Sequence, residues 1–400
     1  MRWDLFCRVI DNWGDIGVCW RLAARLGAAG HTVRLWLDDD RALPWLAPAG
    51  APGVEVRPWP AYGAAGPVWP EPGDVVVEAF GCDPPAGFVS AMAAMAAQTT
   101  QPTPGADSRR APVWINLEYL SAEPYVERSH GLASPQWHGP GAGLTKWFFY
   151  PGFTARTGGL VQGDIAPDLR QQAHDRLRAH GWQVQAGERS ALLFAYDARP
   201  VPALLASLMR GGLGPRLLLR VAASGTLQDD VDRLLDVVRA PGERIGRARS
   251  APGLRVLRLP PVAQTDFDLL LAASDLNLVR GEDSFARAQL VSAAPLLWQI
   301  YVQDDGAHAA KLDAWMRCAG LPPAATAWQR AWNGLGPLPQ EPQEPQTQGL
   351  QTQEPRTPAA TDWAAWAEAA AGHHRRLRAD DCLVTRLTAF VAERRARAPG

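Results

Sequence analysis

Two short stretches carry residue types that could do chemistry together. The first is "DNWGDIG", residues 11–17, which sets Asp11 and Asp15 four residues apart around a glycine turn. Two carboxylates so placed can clamp a guanidinium or accept a proton. Gly14 and Gly17 permit close backbone approach, but the stretch is not G-x-G-x-x-G, so the dinucleotide fingerprint is absent. The plain alternative is capping, with Asp15 starting a helix. The second stretch is "VRGEDSFARAQL", residues 279–290. A helix beginning near Ser284 would offer free backbone N–H groups and a positive dipole end, which suits a phosphate. Ser284 could cap that helix or donate to a phosphate oxygen, and Arg280 could neutralise charge. Glu282 and Asp283 would repel a bare anion unless they face sugar hydroxyls or a cationic partner. Here too the plain alternative is a capped helix with acids that favour its dipole.

The elements around these stretches place both at strand ends. "WDLFCRVI" reads as a strand and "VCWRLAARLGAAG" as a helix, with Val18, Leu22 and Leu26 on one face. "HTVRLWL", "DVVVEAF" (74–80) and "PVWINLEY" (112–119) are further strands. Residues 120–160, rich in Gly, Pro and aromatics, read as structured loops. From Ser190 the alternation restarts: strands are expected at "ALLFAY", "RLLLRVA", "LRVLRLP", "DLNLV" and "PLLWQIY", and helices at "PALLASLMR", "LQDDVDRLLDVVR" and Phe285 to Ser292. Strands alternating with helices imply parallel sheets, and ligands of open α/β sheets bind beyond the carboxyl ends of the strands. The expected architecture is therefore α/β, with two Rossmann-like domains facing a central cleft. Their expected bounds are 1–160 and 189–380, joined by a linker over 161–188. Residues 335–361, with repeated Gln-Glu-Pro and no apolar period, read as a disordered insertion. An amphipathic helix over 381–397, with Leu383, Leu387, Phe390 and Val391 on one stripe, closes the chain.

Composition excludes several classes. The net charge of -1 asks for neither nucleic acid nor an anionic membrane. The five cysteines, Cys7, Cys19, Cys82, Cys318 and Cys382, form no C-x-x-C and suggest neither a disulfide framework nor zinc. No signal-peptide core is visible, and the least polar stretch, Phe88 to Ala97, is too short to span a bilayer, so a cytoplasmic protein is expected. The 17 tryptophans are expected in cores and grooves. "DFD" (266–268), "DDD" (38–40) and the adjacent His373 and His374 do not converge as metal ligands would, so no metal site is expected.

Six blocks in order resemble a known family, the arginine rhamnosyltransferases that modify bacterial translation elongation factor P. They are "DNWGDIGVCWRLAARL" (11–26), "EAFGC" (78–82), "WINLEYLSAEPYVE" (114–127), "FAY" (194–196), "DLNLVRGEDSFARAQL" (275–290) and "WQIYVQDDGAHAAKLDAW" (298–315). The chain departs from the family pattern at Trp13, where phenylalanine is usual, at "DA" after Tyr196, and in the Gln-Glu-Pro insertion. The resemblance implies a GT-B fold, dTDP-β-L-rhamnose as donor, one arginine of folded elongation factor P as acceptor, inversion at the anomeric carbon and no metal or other cofactor. It matches the family's first-turn carboxylates to Asp11 and Asp15, and its donor-site residues to Tyr196, Gln264, Arg280, Glu282, Asp283 and Ser284. Asn12, Trp13, Gly14 and Gly17 complete the candidate donor set.

Arginine is a poor nucleophile, being protonated and delocalised. On this reading Asp15 is the base, Asp11 positions the acceptor or the loop, and Glu282 orients the guanidinium or a sugar hydroxyl. Arg280, Ser284, Tyr196 and the helix-start amides then stabilise the leaving dTDP. Phe194 or Phe267 would stack on thymine or serve the core. Tyr119 and Tyr125 lie on the expected acceptor-facing surface. Two other classes share these features: a different GT-B nucleotide-sugar enzyme, such as an epimerase or small-molecule glycosyltransferase, and an inactive binding protein for the factor.

Overall fold

A computed structural model describes residues 1–10, 13–59, 68–100, 110–163, 165–197, 201, 204–205, 209, 212–222, 231, 249–251, 253–303, 306–337 and 360–397. Asp11 and Asn12 lie outside the described residues. So do most of the helices expected over 202–210 and 227–239, and nearly all of the Gln-Glu-Pro segment. The chain divides into two compact units, Met1–Asp164 with Ala379–Gly400, and Ile165–Arg378.

The first unit runs β1 (Arg2–Cys7), α1 (Gly14–Ala28), β2 (Thr32–Leu37), α2 (Leu43–Leu46), β3 (Val54–Pro58), β4 (Val75–Ala79), α3 (Ala86–Thr100), β5 (Val113–Leu117), α4 (Pro124–Ser129), β6 (Ala133–Pro135) and β7 (Thr145–Phe149). Its sheet has the order β3-β2-β1-β4-β5-β7-β6, parallel except where β6 meets β7. Both faces are covered, so the strands are nearly continuous apolar runs rather than alternating ones. Trp3, Leu5 and Cys7 of β1 enter one core with Ile16, Cys19 and Leu22 of α1. Phe6 enters the other core with Trp36, Phe88 and Trp114. Asp4 is also wholly buried; it is held by a bidentate contact from Arg34 at 2.6 Å and by the Trp36 indole N–H at 2.8 Å.

The second unit runs α5 (Leu169–Ala179), β8 (Arg189–Leu193), β9 (Leu217–Ala222), β10 (Arg249–Ala251), β11 (Leu254–Leu259), α6 (Gln264–Ala273), β12 (Leu276–Arg280), α7 (Asp283–Val291), β13 (Leu296–Gln299), α8 (Ala307–Ala319), α9 (Pro323–Trp332) and α10 (Ala360–Ala379). Its sheet has the order β10-β11-β9-β8-β12-β13, parallel except at β10. The segment expected as a linker contains α5, which belongs to this compact unit. A final helix, α11 (Leu383–Arg397), returns to the first unit and buries Leu383, Val384, Leu387 and Val391 in its core.

In each sheet the chain starts centrally, winds to one side and then crosses to the other. The crossings make β1/β4 and β8/β12 the topological switch points, where open α/β sheets bind ligands at the carboxyl ends. The first stretch singled out in the sequence follows β1 and the second follows β12.

The paired histidines of α10 have a structural use. His373 Nε2 lies 2.9 Å from Gln289 Oε1, and Arg376 Nη2 lies 3.2 Å from His373 Nδ1. Since Arg376 can only donate, Nδ1 accepts and Nε2 carries the proton: the ring is neutral. Burial, with Arg376 and His374 adding to it, pushes the His373 pKa down to about 4. An unfolded histidine titrates near 6.5. Between about pH 6.5 and 4 the unfolded chain therefore takes up a proton that the folded chain refuses, and stability falls as pH falls. The contribution is fully present above pH 6.5, and its loss by pH 4 is about 3 kcal/mol. His373→Gln keeps an N–H for Gln289 but does not titrate. Urea midpoints measured from pH 7 to pH 4.5 should fall less steeply in this variant than in the wild type; parallel curves would contradict the assignment.

Candidate active site

After β1 the backbone is pinned by two carboxylates. Val9 N–H donates to Asp38 Oδ1 at 2.8 Å, and Ile10 N–H donates to Asp15 Oδ2 at 2.9 Å. The first aspartate of the "DDD" run thus closes the β1 turn. The helix starts earlier than its apolar spacing suggested: Gly17 N–H already bonds Trp13 O at 2.9 Å. Trp13 is at the N-cap position without a side-chain cap, and its ring meets Trp45 edge-on at 4.9 Å. Gly14, Asp15 and Gly17 therefore belong to the first turn of α1, not to a glycine turn, and Asp15 is not the cap. Trp13, Gly14 and Gly17 are candidate donor residues by the resemblance. They lie in the first unit and form the start of α1, whereas the other described candidate donor residues lie in the second unit.

Asp15 is 1 % exposed, and Tyr119 O–H donates to its Oδ1 at 3.4 Å. Tyr119, expected on the acceptor-facing surface, is partly buried and stacks on Phe80 at 4.3 Å between centroids. Phe80, just past β4, has φ 59, and Gly81 follows at φ 66. An aromatic residue in the left-handed region costs on the order of 1–3 kcal/mol and persists only where its surroundings hold it. Here the Phe80 N–H bonds Leu117 O at 2.7 Å and Gly81 N–H bonds Asn116 Oδ1 at 3.2 Å. Asn116 also donates to Glu118, whose carboxyl burial raises above the usual range. Sequence reasoning passed over Phe80 and Glu118, because neither stands in a pattern of charges.

In the second unit the candidate donor residues converge. Arg280 ends β12, is 8 % exposed, and lies over the rings of Phe194 and Tyr196, 4.5 Å from each centroid. Phe194 in turn meets Phe267 edge-on at 5.3 Å. Gln264, the first residue of α6, donates to Asp283 Oδ2 at 3.0 Å. Glu282, at the N-cap position of α7, makes no cap bond; it pairs with Lys311 at 2.8 Å.

Ser284 differs from expectation. Its hydroxyl is buried, donates to Arg280 O at 2.5 Å and accepts from Arg280 N–H at 3.1 Å. A serine hydroxyl has one proton to give, and here it closes the turn from inside. It makes no cap bond at the start of α7. The first N–H groups of α7, as in any helix, lack intrahelical acceptors. Gln299, also passed over, accepts from the N–H groups of Tyr196 at 2.6 Å and Asp197 at 3.1 Å and so fixes the loop after β8.

Among the described residues no three His, Cys, Asp or Glu side chains gather as a metal ion would need. Asp268 of "DFD" pairs with Arg287 at 2.8 Å. No helix in the described residues is long and apolar enough to cross a membrane.

Two Rossmann-like units, each with candidate site residues after a switch-point strand, make the GT-B architecture of glycosyltransferases. Within that class, the chain belongs to the EarP family: the model described as "Elongation-Factor P (EF-P) rhamnosyltransferase EarP" matches residues 3–392. A protein-arginine rhamnosyltransferase of Pseudomonas aeruginosa is 40 % identical over 363 residues, 84 % of this chain and 88 % of that one. Its counterpart in Pseudomonas putida is 42 % identical over 359 residues, 83 % of this chain and 86 % of that one. A solved structure from work on EarP-mediated arginine glycosylation of translation elongation factor EF-P superposes with a TM-score of 0.57 at 25 % identity, covering 98 % of this chain and 99 % of the other.

Proposed function

We propose that this protein transfers rhamnose from dTDP-β-L-rhamnose to an arginine side chain of translation elongation factor P, inverting the anomeric carbon without a metal ion or other cofactor. The observation that carries this reading is the turn after β12, in a chain of the EarP family. It sets a guanidinium over two aromatic rings beside the opening amides of a helix. That is a seat for a diphosphate.

In the reaction a guanidinium nitrogen of the acceptor attacks the anomeric carbon. The bond from that carbon to the diphosphate oxygen breaks, and its electron pair leaves with dTDP. Arg280 and the α7 amides meet the growing charge on the leaving group. Tyr196 sits beside Arg280 and is assigned to the same diphosphate. The nitrogen's proton passes to Asp15, and Asp11 positions the acceptor. Glu282 orients the guanidinium or a sugar hydroxyl, while Gln264 and Asp283 hold each other at the donor's edge.

A lone arginine is too common to be specific, so the acceptor is recognised as a folded surface. The first unit offers Tyr125, 41 % exposed and edge-on to Tyr150 at 5.9 Å. Intact elongation factor P should therefore be modified far more efficiently than a short peptide carrying the same arginine. Equal kcat/KM for the two would count against this mode of recognition. No turnover of the intact factor would count against the function itself.

A further inference from the structure

Lys311 stands on α8. Its ammonium lies 2.8 Å from Glu282 Oε1, with the two side chains only 18 % and 13 % exposed. It also sits 6.0 Å from the Trp298 ring centroid. Trp298 donates its indole N–H to Gly281 O at 2.8 Å and stacks on Phe285 at 3.8 Å. Trp315, one helical turn beyond Lys311 on the same face of α8, meets both rings edge-on, at 5.1 Å from Phe285 and 5.8 Å from Trp298. One aromatic block thus holds the turn and the lysine together.

The charges make the point of the arrangement. Arg280 contributes one positive charge to the turn, and Glu282 and Asp283 two negative ones. Without Lys311 the turn carries a net negative charge where a diphosphate is to bind; with it, the sum is zero. This removes the conflict that the two acids posed in the sequence.

We infer that Lys311 is a positioning residue for the transfer reaction. It fixes the Glu282 carboxylate toward the reactants and cancels its charge beside the donor diphosphate. The inference rests on the reading of this turn as the dTDP seat.

Titration with dTDP and steady-state kinetics on the full chain test it. Lys311→Met should weaken dTDP binding on the order of tenfold or more, the scale of one charge in a partly shielded site. Adding Glu282→Gln should restore most of that affinity without restoring kcat, because the carboxylate that orients the reactant is then gone. Lys311→Arg should keep both. A strut that merely holds the fold would also be relieved by removing the unpaired carboxylate; what it would not give is tighter dTDP binding in Glu282→Gln alone. Should Lys311→Met fail to fold, Glu282→Gln alone decides by its sign: dTDP should bind more tightly, since the Lys311 charge is no longer cancelled by Glu282. Unchanged affinity and kcat in Lys311→Met, a loss that Glu282→Gln does not relieve, or weaker dTDP binding in Glu282→Gln would each overturn the inference. If the wild type itself binds no dTDP, the reading of the turn fails and the inference falls with it. If the wild type binds and turns over normally, a null result at Lys311 overturns the inference alone.

Discussion

Asp15→Asn should lower single-turnover rhamnosylation by about 10²–10⁴-fold, the usual cost of losing a general base, while dTDP affinity stays at the wild-type level. The local geometry lets asparagine fit. Its carbonyl oxygen can take the Ile10 N–H, and its NH2 can donate to the Tyr119 oxygen, so both observed contacts survive. Asparagine does not accept a proton at neutral pH. It also presents N–H groups to a guanidinium that has no acceptor to offer. Donor affinity should hold because Asp15 belongs to the first unit, whereas Arg280, Tyr196, Gln264 and Asp283 belong to the second. Asp11→Asn should cost less if Asp11 only positions. Near-normal single turnover in Asp15→Asn, at saturating donor and acceptor, would move the base to Asp11 or Glu282.

Arg280→Met should weaken dTDP binding by about 2–5 kcal/mol, the range for truncating one partner of a shielded charge pair. Methionine is flexible enough to fill the space over Phe194 and Tyr196, so the loss should fall on the ligand more than on the fold. Arg280→Lys should rescue little, because an ammonium lacks the planar fork that stacks on rings and meets two phosphate oxygens at once. Calorimetric titration with dTDP, beside a thermal melt of each variant, separates the two effects. A variant that melts like the wild type and binds dTDP equally well would remove Arg280 from the donor seat.

The central strands were legible because parallel strands covered on both faces are apolar throughout: "DLNLV" and "RLLLRVA" read correctly to within a residue or two. The partly buried β3, β6 and β7 were not, and α4, β6 and β7 stand where residues 120–160 read as loops. The start of α1 was not. Gly14 and Gly17 look like turn residues, but the burial of Ile16 and Cys19 and the Asp15 bond back to Ile10 draw them into the helix. The donor residues could be named from one resemblance, yet their geometry depends on partners distant in the chain. Gln299 holds Tyr196 from 103 positions away, Tyr119 reaches Asp15 across 104, and Lys311 reaches Glu282 across 29. No local spacing encodes such pairs. Ser284 shows the converse case: the residue type suits a phosphate contact, but a hydrogen-bond partner four residues back has the prior claim on its proton.

The most direct measurement is the intact mass of elongation factor P after incubation with this protein and dTDP-β-L-rhamnose, followed by localisation of any adduct. The factor should gain one deoxyhexosyl group on a single arginine, and none when Asp15→Asn replaces the wild type. An unmodified factor, or a sugar found on any other residue type, would contradict it.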